Sequence, residues 1–349
     1  MGQVYTGGQN VMVVTAATEA TAQRQGGLRR LDPVRDLGEV ADLITDAFAQ
    51  DMDERGRAAL REMRLMGRLS PLVWWLSQAD PTFQDTFSGF VWEEAISHKR
   101  QIVGNVNLNR APGSRSRYII CNVVVAQEYR NQGIGRRLTE RAIDQARANG
   151  AQAAVLQVRH DNPPARHLYT GLGFEKVGGE IDLVADQVRS IVISDAPGYR
   201  VRAWRPADGR ATYQLAQQVI PEPQQWFRPI QRVQYWPDWG NRLVDWLGNL
   251  IGGQQIQRLV ILNGQELVGM VKIIIARRQQ GHRLAMLVHP EHAGQVEAAL
   301  ISRALHKLAG APPQPVQVTA YQRETELQRI LRTYGFEEMR TLLTLQKRF

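Results

Sequence analysis

The chain has 349 residues, of which 43% are hydrophobic and 22% charged, and it carries a net charge of +9. This is the composition of a water-soluble globular protein, long enough for two domains that each bury a core. No stretch approaches the roughly 20 apolar residues of a membrane span, and the single cysteine, Cys121, excludes an intramolecular disulfide, so a cytoplasmic protein with no membrane partner is expected.

In chain order, residues 1–27 are rich in Gly, Thr, Ala and Gln without helical or strand periodicity, and read as a flexible tail. A strand at 28–31 (LRRL) leads into a helix that Asp32 caps and Pro33 opens, with Leu37, Val40, Ala41, Ile44, Ala47 and Phe48 on its apolar face. A second helix is expected over 53–68, then strands near 87–95, 101–110 and 118–126. Next comes the turn Arg130-Asn131-Gln132-Gly133-Ile134-Gly135 and a helix over about 133–148, which Asn149-Gly150 ends. A strand at 153–159 (AAVLQVR), a helix starting at Pro163 and a strand FEKVGGEIDLVA follow. Antiparallel strands ahead of a βαβα stretch imply an α/β protein, in detail an α+β mixed, mostly antiparallel sheet flanked by helices.

The same order occurs twice. QIVGNV at 101–106 is echoed by ELVGMV at 266–271, TGLGFEKV at 170–177 by RTYGFEEM at 332–339, and LDPVRD at 31–36 by WRPADG at 204–209. A duplicated domain accounts for these echoes, with one copy over 28–184, a polar linker over 185–198 and the second copy over 199–349. The charge excess belongs to the second copy. Residues 1–198 hold 23 basic and 23 acidic side chains, whereas 199–349 hold 20 against 11. The basic residues are scattered rather than gathered into a tract, so a solvated surface is expected and nucleic acid is not an expected partner.

Arg136 and Arg137 lie in the first turn of a helix, where the macrodipole already presents positive charge. A polyanionic ligand reverses the sign of that effect, and two glycines there let a diphosphate approach the backbone N–H groups. Together, YIICNVVVAQEYRNQGIGRRL and HDNPPARHLYTGLGF resemble the GCN5-related N-acetyltransferase (GNAT) superfamily, whose acyl-CoA signature is Arg/Gln-x-x-Gly-x-Gly/Ala. The match covers roughly 29–184, with a fainter version over 199–349.

The resemblance implies two tandem GNAT-like domains and an enzyme that moves an acetyl group from acetyl-CoA to a primary amine, with no metal. Arg130, Asn131, Gln132, Gly133, Ile134, Gly135 and Arg136 would cradle the diphosphate, main-chain groups of Val123 and Val125 would bind pantetheine, and Asn162 would cap the next helix beside it. Tyr169 corresponds to the tyrosine that protonates the departing thiolate, and a phenol of reference pKa near 10 suits that task. In the protein N-terminal alanine acetyltransferases, the branch most similar to this chain, the preceding strand supplies a carboxylate as Glu-Val-Arg. Here the segment is Gln157-Val158-Arg159, so Glu93 or Glu94 is the expected base through water, one of them facing the slot by strand alternation. The acceptor would be a small-molecule or peptide amine. A catalytically silent acyl-CoA-binding regulator or scaffold is the alternative, which Gln157 favours and Tyr169 opposes.

In the second copy Arg130, Gly133 and Gly135 become Ala293, Val296 and Ala298, Tyr169 becomes Leu331 and Asn162 becomes Glu324, while Glu297 brings negative charge to the phosphate position. That copy resembles the degenerate partner of tandem family members. Its Trp226, Trp236, Trp239 and Trp246 are read as packing or as an acceptor surface.

Overall fold

The computed structural model describes residues 27–48, 57, 60–65, 88–96, 99–186, 191–236, 254–277 and 281–349. Residues 1–26 of the expected tail, most of the helix expected over 53–68, and Trp239 and Trp246 lie outside the described residues; residues 60–65 are helical. The chain forms two compact units, Met1–Asn109 with Ile120–Gln145, and Arg110–Ile119 with Ala146–Phe349.

In the first unit, β1 (Gly27–Arg30) pairs antiparallel with β2 (Gly89–Ile96), and β2 with β3 (Lys99–Arg110). Helix α1 (Pro33–Phe48) starts where Asp32 Oδ1 accepts from Val34 N–H at 3.0 Å, as its capping residues predict. Its Val40, Ala41 and Ile44 join Val91, Ile102 and Val124 in one core. Strand β4 (Arg117–Val125) and helix α2 (Ile134–Ala148) complete the unit, each with three residues in the other. Gly104 of β3 has a packing reason: a Cβ there would come within 2.9 Å of Leu138 and 3.1 Å of Ile134, both on α2.

The second unit contains β5 (Ala153–Arg159), α3 (Pro163–Gly171), β6 (Glu175–Ala185), β7 (Tyr199–Ala203), α4 (Gly209–Val219), β8 (Gln254–Asn263), β9 (Glu266–Ala276), β10 (His282–Val288), α5 (Glu297–Leu308), β11 (Val316–Tyr321), α6 (Thr325–Thr333) and β12 (Glu337–Arg348). Its strands lie in the order β5-β12-β6-β11-β10-β9-β8-β7, antiparallel except for β10 with β11. Residues Arg117–Ile119 of β4 run parallel to Ala153–Val155 at the free side of β5. The last strands of the two copies are thus exchanged: β12 lies between β5 and β6, and β6 between β12 and β11. One core backs the exchange, with Ile181 and Leu183 of β6 packed among Val271, Leu300, Val318 and Leu331.

The duplication is visible in detail. Asn162 and Glu324 stand at the N-caps of α3 and α6; Tyr169 and Leu331 are both buried seven residues on. Gly173 and Gly335 follow with φ of 80° and 83°, and Phe174 and Phe336 donate back to the carbonyls of Tyr169 and Leu331 at 3.0 and 3.2 Å. Gly269 repeats the role of Gly104, since its Cβ would lie 3.2 Å from Leu300 of α5. An arginine–aspartate fork closes the entry to the first helix in both copies. Arg29 clamps Asp36, which also accepts from Asp32 N–H, and Arg202 clamps Asp208, which accepts from Arg205 N–H.

Candidate active site

The loop after β4 is shaped by two left-handed residues, Asn131 (φ 62°) and Gly133 (φ 79°), immediately before α2. Positive φ costs asparagine little and glycine nothing, which explains both residue types. A Cβ on Gly133 would meet no atom within 4 Å, so the backbone faces open space there. The first turn of α2 carries no acid, and Ile134 turns inward at 3% exposure. Arg130 folds back, its Nε donating to the Val125 carbonyl at 3.1 Å. Arg136 pairs with Glu140 at 3.4 Å and the Arg137 guanidinium lies 5.5 Å from the centre of the Trp92 ring. Exposed contacts of that kind are worth a fraction of a kcal/mol to about 1 kcal/mol, so both cations remain available to an anion.

Strand β4 is irregular ahead of the loop. Asn122 takes φ 51°; its side-chain amide donates to Asn107 Oδ1 of β3 and its main-chain carbonyl accepts from Asn105 Nδ2, which also donates to Asn107 Oδ1, each at 3.0 Å. Val124 turns into the core, while Val123 and Val125 are half-buried on the other side. Cys121 is partly exposed, and desolvation pushes its thiol up to about 12. A thiol that far above neutral is almost wholly protonated and so a poor nucleophile.

The equivalent loop of the second copy is closed by its own side chain. Glu297, in the position of Ile134, is 2% exposed. Its carboxylate accepts from Gly294 N–H at 2.9 and 2.8 Å and from Val296 N–H at 3.2 Å, the counterparts of Asn131 and Gly133. An internal carboxylate therefore takes the donors that a phosphate would use. The cleft beside it, about 300 Å³, is also lined by Glu324 and Glu326. Burial, reinforced by the charge of Glu297, pushes the Glu324 carboxyl up to about 7 against the pull of Tyr321 N–H and Arg323. A carboxyl raised in the folded state weakens the fold above its folded pKa and does nothing below its unfolded one. Glu324→Gln is expected to raise the unfolding free energy by about 2–4 kcal/mol at pH 8 and to change it little near pH 4.5, as denaturant titrations at the two pH values would show.

Within the second unit, Asn162 caps α3 through Oδ1, which accepts from Ala165 N–H at 3.1 Å, with Pro163 opening the helix. Tyr169 is 6% exposed and meets Phe174 edge to face at 6.0 Å. Gln157 of β5 donates from Nε2 to Glu180 Oε1 of β6 at 3.4 Å, reaching across β12. Sequence reasoning did not single out Glu180. It is 5% exposed, and desolvation raises its carboxyl above the usual range.

The two carboxylates of β2 differ sharply. Glu93 is 6% exposed and ion-paired to Arg29 at 2.5 Å, to Arg35, and to Arg100 at 3.3 Å. Its hydrogen bond from Arg29, with the surrounding arginine charge, holds the carboxyl below its ordinary value, the opposite of what a neutral-pH base needs. Glu94 is half-buried and accepts from Trp92 Nε1 at 2.8 Å. Of the tryptophans of the second copy, Trp226 is buried, donates to Glu222 at 3.1 Å and stacks under Arg117 at 4.4 Å, while Trp236 stacks with Arg232 at 4.0 Å.

Residues 57–174 match the model of the acetyltransferase (GNAT) family. The chain is 39% identical over 62 residues to N-alpha-acetyltransferase 30 of Schizosaccharomyces pombe, covering 18% of this chain and 41% of that protein. It is 40% identical over 55 residues to the [ribosomal protein bS18]-alanine N-acetyltransferase of Escherichia coli, covering 16% and 37%. The chain thus spans less than half the length of these curated relatives. A crystal structure of a GCN5-related N-acetyltransferase from Sphaerobacter thermophilus superposes with a TM-score of 0.60 at 15% identity, over 93% of this chain and 95% of that one. A tandem GNAT protein from the clavulanic acid biosynthesis pathway gives 0.54, also at 15% identity, over 93% and 98%. Residues 57–174 of this chain thus match the acetyltransferase (GNAT) family, and 93% of its length shares the fold of two solved GNAT proteins, one of them a tandem protein.

Proposed function

We propose that the chain is an N-acetyltransferase that moves an acetyl group from acetyl-CoA directly to a primary amine. The observation that carries this reading is the contrast between two equivalent loops. One is built on Asn131 and Gly133, with open space in front of it, and the other is sealed by Glu297. Residues 28–184 are then the catalytic copy, 199–349 its non-binding partner, and 185–198 the connection.

Backbone N–H groups from Asn131 to Gly135 and the Arg136 side chain hold the diphosphate, with Arg130, Gln132 and Ile134 shaping the loop. Main-chain groups of Val123 and Val125 bind pantetheine as an added strand would, and Asn162 fixes the start of α3. A β4 N–H stabilises the oxyanion, Tyr169 protonates the departing sulfur, and the chemistry calls for no metal. Glu93 is committed to its arginines, so of the β2 pair Glu94, which accepts from the neutral Trp92 indole, is the better suited to pass a proton on through water. The acceptor is a small-molecule or peptide amine. The names of the matched relatives favour a protein N-terminus, and the lone cysteine suits a cytoplasmic setting.

Tyr169→Phe is expected to lower kcat by about 100-fold or more with little change in the Kd for acetyl-CoA. Thiol release and calorimetry on the same preparation separate the two effects, and full turnover by the variant removes the acid role from Tyr169.

A further inference from the structure

We propose that Glu180 takes the proton from the acceptor amine, in place of the carboxylate that position 157 lacks. The assignment rests on the acetyl-transfer reading above. The similar alanine acetyltransferases carry glutamate where this chain has Gln157, so the base must come from another element. The exchanged strands supply one. Thr344 of β12 faces Gln157 on one side and Gly178 on the other, while Leu342 of β12 faces Glu180. This register brings the Gln157 amide to 3.4 Å from the Glu180 carboxylate.

Alternation along β6 separates its two faces. Ile181, Leu183 and Ala185 enter the core, and Glu180 and Asp182 project from the opposite face. Asp182 is already engaged, accepting from Arg340 Nε at 2.7 Å and Thr319 Oγ1 at 2.6 Å. Glu180 is held by a neutral amide, which leaves its carboxylate basic. The charged groups facing it are Arg228 and Arg340, which favour ionisation, and Asp182, which opposes it. Tyr321 of β11 stands opposite in register, its phenol raised by burial. Desolvation outweighs the arginines and moves Glu180 toward neutral pH, where a general base works best.

The protons balance. The acceptor ammonium gives one proton to Glu180, and its freed lone pair forms the C–N bond as the C–S bond breaks. Tyr169 protonates the sulfur and recovers the second nitrogen proton, and Glu180 releases its proton to solvent. The products are the acetamide, CoA thiol and one proton.

The test measures thiol release from acetyl-CoA by the full chain with two probes: a mixture of spermidine and peptides bearing a free N-terminal amine, and hydroxylamine, which is uncharged at neutral pH. In Glu180→Gln, turnover of the amine mixture is expected to fall at least about 100-fold, and the acid limb of its pH profile to disappear. The hydroxylamine rate and the calorimetric Kd for acetyl-CoA should stay within about twofold of wild type. Moving the carboxylate back, in Gln157→Glu combined with Glu180→Gln, should restore amine turnover even if the single variant folds poorly. Full amine turnover by Glu180→Gln overturns the assignment, as does an equal loss with both probes, which marks a structural role. A wild type that fails to bind acetyl-CoA or to release thiol with either probe overturns the acetyl-transfer reading and this assignment with it.

Discussion

Gly133→Asp is expected to weaken acetyl-CoA binding at least about 100-fold while the protein remains folded. A carboxylate in the loop repels the diphosphate and competes for its donors, as Glu297 does in the second copy. Like charges at that range cost several kcal/mol, and about 3 kcal/mol corresponds to more than 100-fold in Kd. The cost to the fold is small, because Gly133 has φ 79° and its Cβ would meet nothing within 4 Å. Aspartate tolerates that conformation at about 1 kcal/mol, a few degrees in Tm. Calorimetry and thermal melts on the same sample give both numbers. A variant that binds normally shows that the loop does not hold the diphosphate.

The second large effect concerns stability. Asp36 is 1% exposed and accepts from both guanidinium nitrogens of Arg29, at 2.5 and 2.8 Å, and from Asp32 N–H at 2.7 Å. Asp36→Ala takes from Arg29 the stronger of its two carboxylate partners, leaving only Glu93, and leaves the entry to α1 without its acceptor. Removing one partner of a buried pair costs about 3–5 kcal/mol. The equivalent change Asp208→Ala should cost less, because Asp208 is 8% exposed. Chemical denaturation of both variants tests the ranking, and equal or negligible losses would show that the forks are not what closes each helix entry.

The parts of this architecture that are legible in the sequence are those specified by neighbouring residues. Asp32-Pro33 and Asn162-Pro163 mark helix starts because a capping side chain and a fixed φ act within one turn. The strand expected at 153–159 matches β5, and the glycine after α2 is left-handed, with φ 76°. The duplication is legible because Gly104 and Gly269 each admit a helix against a strand.

What is not legible depends on partners far apart in the chain. Nothing local says that β12 inserts between β5 and β6, so nothing local says that Glu180 reaches Gln157. Alternation along β2 indicates that Glu93 and Glu94 face opposite ways, but not that Arg29, 64 residues earlier, holds Glu93. The negative charge of Glu297 is readable, whereas its hydrogen bonds to Gly294 and Val296 require the folded loop.

The most direct test of the central claim is the stoichiometry of acetyl-CoA binding to the intact chain by calorimetric titration. One site per chain is the predicted result, with the open loop at Gly133 occupied and the Glu297 loop closed. Two sites, or none, would contradict it.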